Sequence, residues 1–274
     1  MQLFLIFLRI ILIYAIIFTI GIGIYMSFSK NKIDKSLPIA IDKDDDQLIY
    51  YNNTTGTEKV ISKKGFEPFY YGDAVVYVSG RRGAGKSTFC NIYIHNYVKA
   101  TDGRVFLISR LKEDESIKLP ERGMRIPINE ISQITMDDLK DSLIVFDDIN
   151  DANLNKYETA ILNKFIIDVI ENSRHYNLSV IITSHMMANF KQTRPFLYES
   201  SAVVIYPQWS NLAQIEKVMR SYYSMSTTQI KDIFNSPSRW VYVNTITPKY
   251  IMTQHEIYTY KYQNSMSKSF KTKD

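Results

Sequence analysis

The residues with the clearest chemical meaning lie between positions 80 and 88 and read Gly-Arg-Arg-Gly-Ala-Gly-Lys-Ser-Thr. This run fits the pattern G-x-x-x-x-G-K-[ST] of loops that bind nucleotide phosphates. An apolar run at 74–79 precedes it and predicts a buried strand, and residues 89–98 predict a helix. Glycines allow such a loop to turn its backbone N–H groups towards phosphates, and the N-terminus of the helix adds partial positive charge. The sequence therefore predicts a binding site for ATP.

Every residue of this loop is a candidate contact to the nucleotide. The set is Gly80, Arg81, Arg82, Gly83, Ala84, Gly85, Lys86, Ser87 and Thr88. Lys86 is expected to reach the β- and γ-phosphates, and Ser87 is expected to ligate Mg²⁺. The alternative is a chance match in a glycine-containing turn, which the preceding strand and the following helix disfavour.

Two carboxylates, Asp147 and Asp148, follow a second apolar run at 142–146. Buried parallel strands have such sequences, and their carboxyl ends lie at the ligand-binding edge of an α/β sheet. Asp147 is expected to hold Mg²⁺, directly or through water. Asp148 stands where many ATPases carry the acid that polarises the attacking water, although that acid is usually Glu. The alternative is an apolar strand capped by a solvated pair of aspartates.

An arginine and a histidine flank a third apolar strand, predicted at 178–183. His185 follows the strand, where a polar residue can sense the γ-phosphate. Arg174 precedes it, where an arginine of a ring ATPase can reach the neighbouring subunit's site and stabilise transition-state charge. Two alternatives stay open: Arg174 caps the C-terminus of the helix predicted at 155–173, where cations are favoured, and His185 is an ordinary loop histidine.

The composition fits a globular domain with additional segments. The chain has 274 residues, 45% of them hydrophobic, and a net charge of +5, which is compatible with a polyanionic partner. Its single cysteine, Cys90, excludes an intrachain disulfide framework and is expected in the core. Strands and helices alternate from position 74 to two closing strands at 240–244 and 250–253. This order predicts an α/β P-loop NTPase fold with a mostly parallel, doubly wound sheet.

Three segments together, 80–88, 143–148 and 173–185, resemble the HerA/FtsK superfamily of DNA-pumping ATPases. Within it, they are most similar to the genome-packaging ATPases of nucleocytoplasmic large DNA viruses and virophages. The resemblance covers about residues 70–255. It implies a homo-oligomeric ring that uses ATP and Mg²⁺ to move double-stranded DNA into a viral capsid at its portal vertex. It also supports Arg174 as a trans arginine finger, while His185 stands where the family usually has Gln and Ser173 where it often has Gly.

The N-terminus departs from many packaging ATPases. Residues 10–28 carry no charge, and as a helix they would span about 28 Å, close to the ~30 Å hydrocarbon core of a bilayer. Three lysines follow by position 35, so the positive-inside rule places the C-terminal side in the cytosol. We expect a transmembrane helix that anchors the chain in a host-cell or virion membrane, with the ATPase domain on the cytosolic side. A cleaved signal peptide and a helix buried in the protein or capsid are the alternatives.

These features divide the chain into four predicted parts. Residues 1–28 form the membrane anchor, 29–65 a linker, 66–262 the P-loop ATPase domain and 263–274 a basic flexible tail. Two rival functions stay open. One is a membrane-anchored virion morphogenesis or export ATPase of the filamentous-phage type, and the other is a nucleotide-binding scaffold without hydrolysis.

Overall fold

A computed structural model of the chain describes residues 37–51, 59–69, 72, 74–110, 115–149, 154–188, 193–246 and 249–260. The predicted membrane anchor at 1–28 and the predicted tail at 263–274 lie outside the described residues. Within the described ranges, no helix is both long and apolar enough to cross a membrane.

The strands and helices alternate along the chain after a group of N-terminal strands. The strands are β1 (Leu37–Asp42), β2 (Gln47–Tyr51), β3 (Val60–Ile61), β4 (Phe66–Pro68), β5 (Val75–Ser79), β6 (Arg104–Ser109), β7 (Gly123–Pro127), β8 (Ser142–Phe146), β9 (Ser179–Ser184), β10 (Ala202–Ile205), β11 (Val241–Asn244), β12 (Tyr250–Thr253) and β13 (Glu256–Thr259). The α-helices are α1 (Lys86–Thr101), α2 (Met136–Leu139), α3 (Lys156–Asn172), α4 (Arg194–Glu199), α5 (Leu212–Ser221) and α6 (Thr227–Asn235). Two short 3₁₀ helices cover Ile128–Gln133 and Pro207–Trp209.

The central sheet is mostly parallel. It has ten strands in the order β3-β13-β12-β11-β10-β5-β9-β8-β6-β7. All pairings from β10 to β7 are parallel, and those from β10 to β3 are antiparallel. The parallel part therefore confirms the predicted α/β class, and β12 pairs with β11 as the two predicted closing strands.

Helices cover both faces of this sheet. On β5, Tyr77 belongs to a buried cluster with residues of α3, α5 and α6, such as Ile166 and Ile215. Its neighbours Val76 and Val78 belong to a second cluster with Phe89 of α1. Successive side chains of a strand point to opposite faces, so the two clusters are the two layers of a doubly wound core.

The segment predicted as a linker, 29–65, contains regular structure from Leu37 onward. β1, β2 and β3 lie inside it, and β1 pairs with β4 in a separate three-stranded sheet in the order β2-β1-β4. Ile39 and Ala40 of β1 are buried in the same cluster as Phe89 of α1. The three strands have at most six residues each, and an acidic turn joins β1 to β2. Their hydrophobic periodicity is therefore too short to distinguish them from a loop.

Cys90 is fully buried on α1, as the sequence predicts. Burial raises the pKa of its thiol well above the ordinary value, and the negative charge of Asp147 adds to the increase. The thiolate, which is the reactive form, is therefore both rare and inaccessible in the folded chain.

We expect Cys90 in the native full-length chain to react with dithionitrobenzoate more than about a hundredfold more slowly than in concentrated guanidinium chloride, because reaction requires opening of the core. The measurement is the absorbance of released thionitrobenzoate, with Cys90→Ala as the blank. Similar rates in native and unfolded protein would contradict the buried position.

Candidate nucleotide-binding site

The predicted phosphate loop joins the end of β5 to the start of α1. Gly83 and Gly85 have φ angles of 80° and 115°, in the left-handed region that glycine adopts without steric cost. Gly80 has no room for a side chain, because an added Cβ would lie 2.7 Å from Cδ2 of Tyr206. The loop glycines are thus explained by two backbone conformations and one close approach. Lys86 is the first residue of α1, and Ser87 is the second.

Residues late in the chain hold this loop. The Arg239 side chain donates from Nε to the carbonyl oxygen of Ala84 and from Nη2 to that of Gly83, both at 2.8 Å. The backbone N–H of Arg81 donates to the carbonyl oxygen of Trp209 at 3.3 Å. No motif in the sequence indicates Arg239 or Trp209, because their partners are more than 100 positions away.

The two aspartates lie beside the loop, at the end of β8. The Thr183 hydroxyl donates to Oδ1 of Asp147 at 2.7 Å and accepts the backbone N–H of Asp148 at 2.8 Å. Asp148 itself has a φ of 49°, a left-handed conformation that is uncommon outside glycine. Thr183 is fully buried, so its hydroxyl fixes the direction of both acids. Thr183 ends the strand predicted at 178–183, but no motif in the sequence indicates its contact with the two acids.

Lys86, His185 and Asp148 contact one another. The Lys86 ammonium lies 3.2 Å from Nδ1 of His185 and 3.6 Å from Oδ1 of Asp148, and Nε2 of His185 lies 3.1 Å from Oδ2 of Asp148. An ammonium can only donate, so Nδ1 accepts and Nε2 carries the proton that His185 donates to Asp148. Lys86 also donates to the carbonyl oxygen of Gly80 at 3.1 Å. The structure thus brings the predicted loop lysine, acid and sensor into one cluster.

Hydrogen bonds from buried residues of β5 and β9 fix the turn that carries His185. The Tyr77 hydroxyl donates to the carbonyl oxygen of Met186 at 2.7 Å, and the backbone N–H of Met186 donates to the Ser184 hydroxyl at 3.1 Å. Burial raises the pKa of Tyr77, which keeps this hydroxyl protonated as a donor. These bonds fix the turn, and the His185 side chain that it carries is partly exposed.

The donor set fits a magnesium nucleotide. The loop presents the backbone of glycines and the N-terminus of α1, and Asp147 adds a carboxylate of the kind that Mg²⁺ binds. Oδ1 of Asp148 is buried and makes no hydrogen bond within the part of the chain that the structure describes. The cation beside this oxygen is the Lys86 ammonium, 3.6 Å away. Ser87, the predicted second ligand, is half-buried on the first turn of α1.

Arg174 lies away from this cluster. It follows α3 in the turn before β9, whereas Ser184 at the other end of β9 accepts the backbone N–H of Gly80 at 3.1 Å. Arg174 lines a cavity of about 230 Å³ together with Val75 and Ser201, which mark the starts of β5 and β10. It is thus at the opposite edge of the sheet from the loop of its own chain. Arg81, Arg82 and Thr88 are exposed.

Comparisons with known proteins agree with this architecture. The chain is 34% identical over 187 residues to "Uncharacterized protein V3" of Sputnik virophage, covering 66% of this chain and 75% of that protein. Its structure is similar to that of the genome packaging NTPase B204 from Sulfolobus turreted icosahedral virus 2 in complex with sulfate, with a TM-score of 0.50, 12% identity and coverage of 71% of this chain and all of that one. The DNA-packaging ATPase B204 from Sulfolobus Turreted Icosahedral Virus has a TM-score of 0.47 and 13% identity, over 66% of this chain and 97% of that one. No protein-family model matches the chain. The resemblance to viral genome-packaging ATPases is confirmed.

We expect Thr183→Val to weaken Mg²⁺-dependent binding of ATPγS by about tenfold, because valine has the same shape but leaves the Asp148 N–H without an acceptor and Asp147 without a donor. Titration calorimetry on the full-length chain measures the affinity. Thr183→Ser keeps the hydroxyl and should bind within about threefold of the wild type. Equal affinity of the valine variant and the wild type would show that Thr183 does not organise the acids.

Proposed function

Because the chain belongs to the family of protein V3 of Sputnik virophage and shares the fold of a viral genome-packaging NTPase, we propose that it is an ATP-driven motor that translocates double-stranded DNA into a viral capsid. The observation that carries the ATPase part is the contact of Lys86 and His185 with Asp148 beside the glycine loop. The DNA part rests on the family resemblance and on the mildly basic charge of the chain.

Each site residue has a separate role in the proposed nucleotide hydrolysis. The loop amides and Lys86 bind the phosphates, and Ser87 and Asp147 would hold Mg²⁺. When bound, Mg²⁺ neutralises part of the negative charge on the phosphates. Asp148, fixed by its backbone bond to Thr183, orients the attacking water. Asp is shorter than the more usual Glu, and the left-handed backbone at Asp148 sets where its carboxylate lies.

His185 is coupled to the phosphates through Lys86. A γ-phosphate competes with Nδ1 of His185 for the Lys86 ammonium, because both are acceptors for the same protons. His185 then keeps only its bond to Asp148, so binding and loss of the γ-phosphate move the histidine between two sets of partners. This gives His185 the role of a γ-phosphate sensor.

Arg174 acts on the site of the next subunit. β9 separates it from the phosphate loop of its own chain, so a contribution to hydrolysis has to cross to a neighbour. A guanidinium placed there offsets the charge that develops on the transferred phosphoryl group. The proposed active form is therefore a homo-oligomeric ring around the DNA.

The remaining partners follow from the same proposal. DNA contacts are mainly to backbone phosphates, since a motor has to move along any sequence. The ring docks on a capsid or its portal vertex, and residues 1–28 attach it to a host-cell or virion membrane with the ATPase domain on the cytosolic side. The rival function is a membrane-anchored morphogenesis ATPase, which the apolar N-terminal sequence favours.

We expect the full-length chain to hydrolyse ATP several-fold faster with long double-stranded DNA than without it, and Lys86→Ala to abolish both rates. Steady-state phosphate release measures them. Hydrolysis that is indifferent to DNA, in folded oligomers, would favour the morphogenesis ATPase. No turnover by the wild type would favour a scaffold.

We expect Arg174→Ala to lower the turnover number by about a thousandfold, with nucleotide affinity unchanged, because the arginine stabilises charge only in the transition state. Mixing Arg174→Ala with Lys86→Ala subunits should restore part of the rate, since some interfaces then pair an intact arginine with an intact loop. His175→Ala, at the next position, is the matched control. Mixtures that stay inactive despite co-assembly would contradict action in trans.

A further inference from the structure

The order of the strands gives a bound nucleotide a direction. The acids after β8 and His185 after β9 lie on one side of β5, and β10 lies on its other side. A triphosphate with its γ-phosphate at Lys86 and Asp148 therefore extends its ribose and base away from β8 and β9. The nearest described elements on that side follow β10, beginning with the 3₁₀ helix Pro207–Trp209.

Trp209 presents a flat aromatic surface at this place. The side chain is 42% exposed, which is unusual for tryptophan, whereas Trp240 is only 8% exposed. A Cβ built on Gly83 would lie 3.9 Å from Cζ3 of Trp209, so the indole borders the phosphate loop directly. No sequence motif indicates a role for this residue.

The indole is also fixed in place. The Arg239 guanidinium lies over the Trp209 ring, 5.8 Å from its centroid, and donates to the carbonyl oxygens of Gly83 and Ala84. The backbone of Trp209 accepts from Arg81 at 3.3 Å and donates to the carbonyl oxygen of Tyr206 at 2.8 Å. An ordered ring loses little conformational entropy when a ligand stacks on it.

We propose that Trp209 is the stacking platform for the nucleobase of the bound nucleoside triphosphate, with Arg239 holding the indole against the phosphate loop. The inference rests on the proposed function, because it concerns the same nucleotide. Stacking on an aromatic face is tolerant of base identity, so the platform takes a nucleobase by its π-face.

A nucleobase explains the arrangement better than a DNA contact does. Trp209, Gly83 and Arg239 form one connected unit with the phosphate loop, so a ligand on the indole lies next to the phosphates. A side chain that contacts a moving DNA strand does not require contacts with the phosphate loop.

The test separates the base from the phosphates. ATPγS and inorganic tripolyphosphate, each with Mg²⁺, are titrated into the full-length chain by calorimetry. We expect Trp209→Ala to bind ATPγS about tenfold more weakly and tripolyphosphate with unchanged affinity, since tripolyphosphate has no base. Trp209→Phe keeps an aromatic face and should restore ATPγS binding to within about threefold. Tyr157→Ala removes another exposed aromatic side chain, on α3, and should change neither affinity.

Intrinsic fluorescence gives a second readout. The chain has two tryptophans, so quenching by ATPγS in the wild type that disappears in Trp209→Phe reports stacking on Trp209. Equal ATPγS affinity of Trp209→Ala and the wild type, with tripolyphosphate bound by both, would overturn the platform alone. Loss of DNA stimulation without loss of ATPγS affinity would assign Trp209 to DNA and overturn it as well. A wild type that binds neither ligand would overturn the proposed function together with this inference.

Discussion

The whole site depends on the position of β9 between β5 and β8. The strand accepts a hydrogen bond from Gly80 at the start of the phosphate loop, and one residue earlier its Thr183 hydroxyl binds both Asp147 and the backbone of Asp148. Parallel strands end at the same edge of a sheet, so the loop and the acids are brought together by strand order alone. The buried threonine then converts this proximity into a fixed geometry.

Charge explains why His185 belongs to this edge. Lys86 is buried, and its ammonium donates to the Gly80 carbonyl and to His185 and forms an ion pair with Asp148. The neutral imidazole lies between a cation that only donates and a carboxylate that only accepts. One of its nitrogens therefore accepts and the other donates. Any ligand that accepts the hydrogen bonds of Lys86 changes the bonding of His185 and Asp148 together. A glutamine, the residue that the family resemblance implies here, could accept and donate in the same way.

The sequence predicted those parts of the fold whose signals are local. The loop glycines, the apolar run before Asp147 and the periodic helix at 155–173 each carry their own pattern, and the structure places them as β5 to α1, β8 and α3. The strands β1 and β2 were missed because they are short and are stabilised by distant partners: β1 pairs with β4 and packs near α1, and β2 lies beside β1. Arg239 and Trp209 were missed for a related reason: each acts on the loop through contacts with backbone groups, which leave no residue pattern in the sequence.

A single chain does not complete the proposed catalytic centre. β9 has six residues, which at about 3.3 Å each separate Arg174 from His185 by roughly 20 Å. An arginine side chain is far shorter than that distance, and the intervening strand is buried on both faces and cannot shorten. The chain thus places Lys86, Asp148 and His185 at one edge of the sheet and the Arg174 guanidinium at the other. Two edges of this kind become one site when the second edge of one subunit faces the first edge of the next, which is the arrangement that a closed ring repeats at every interface.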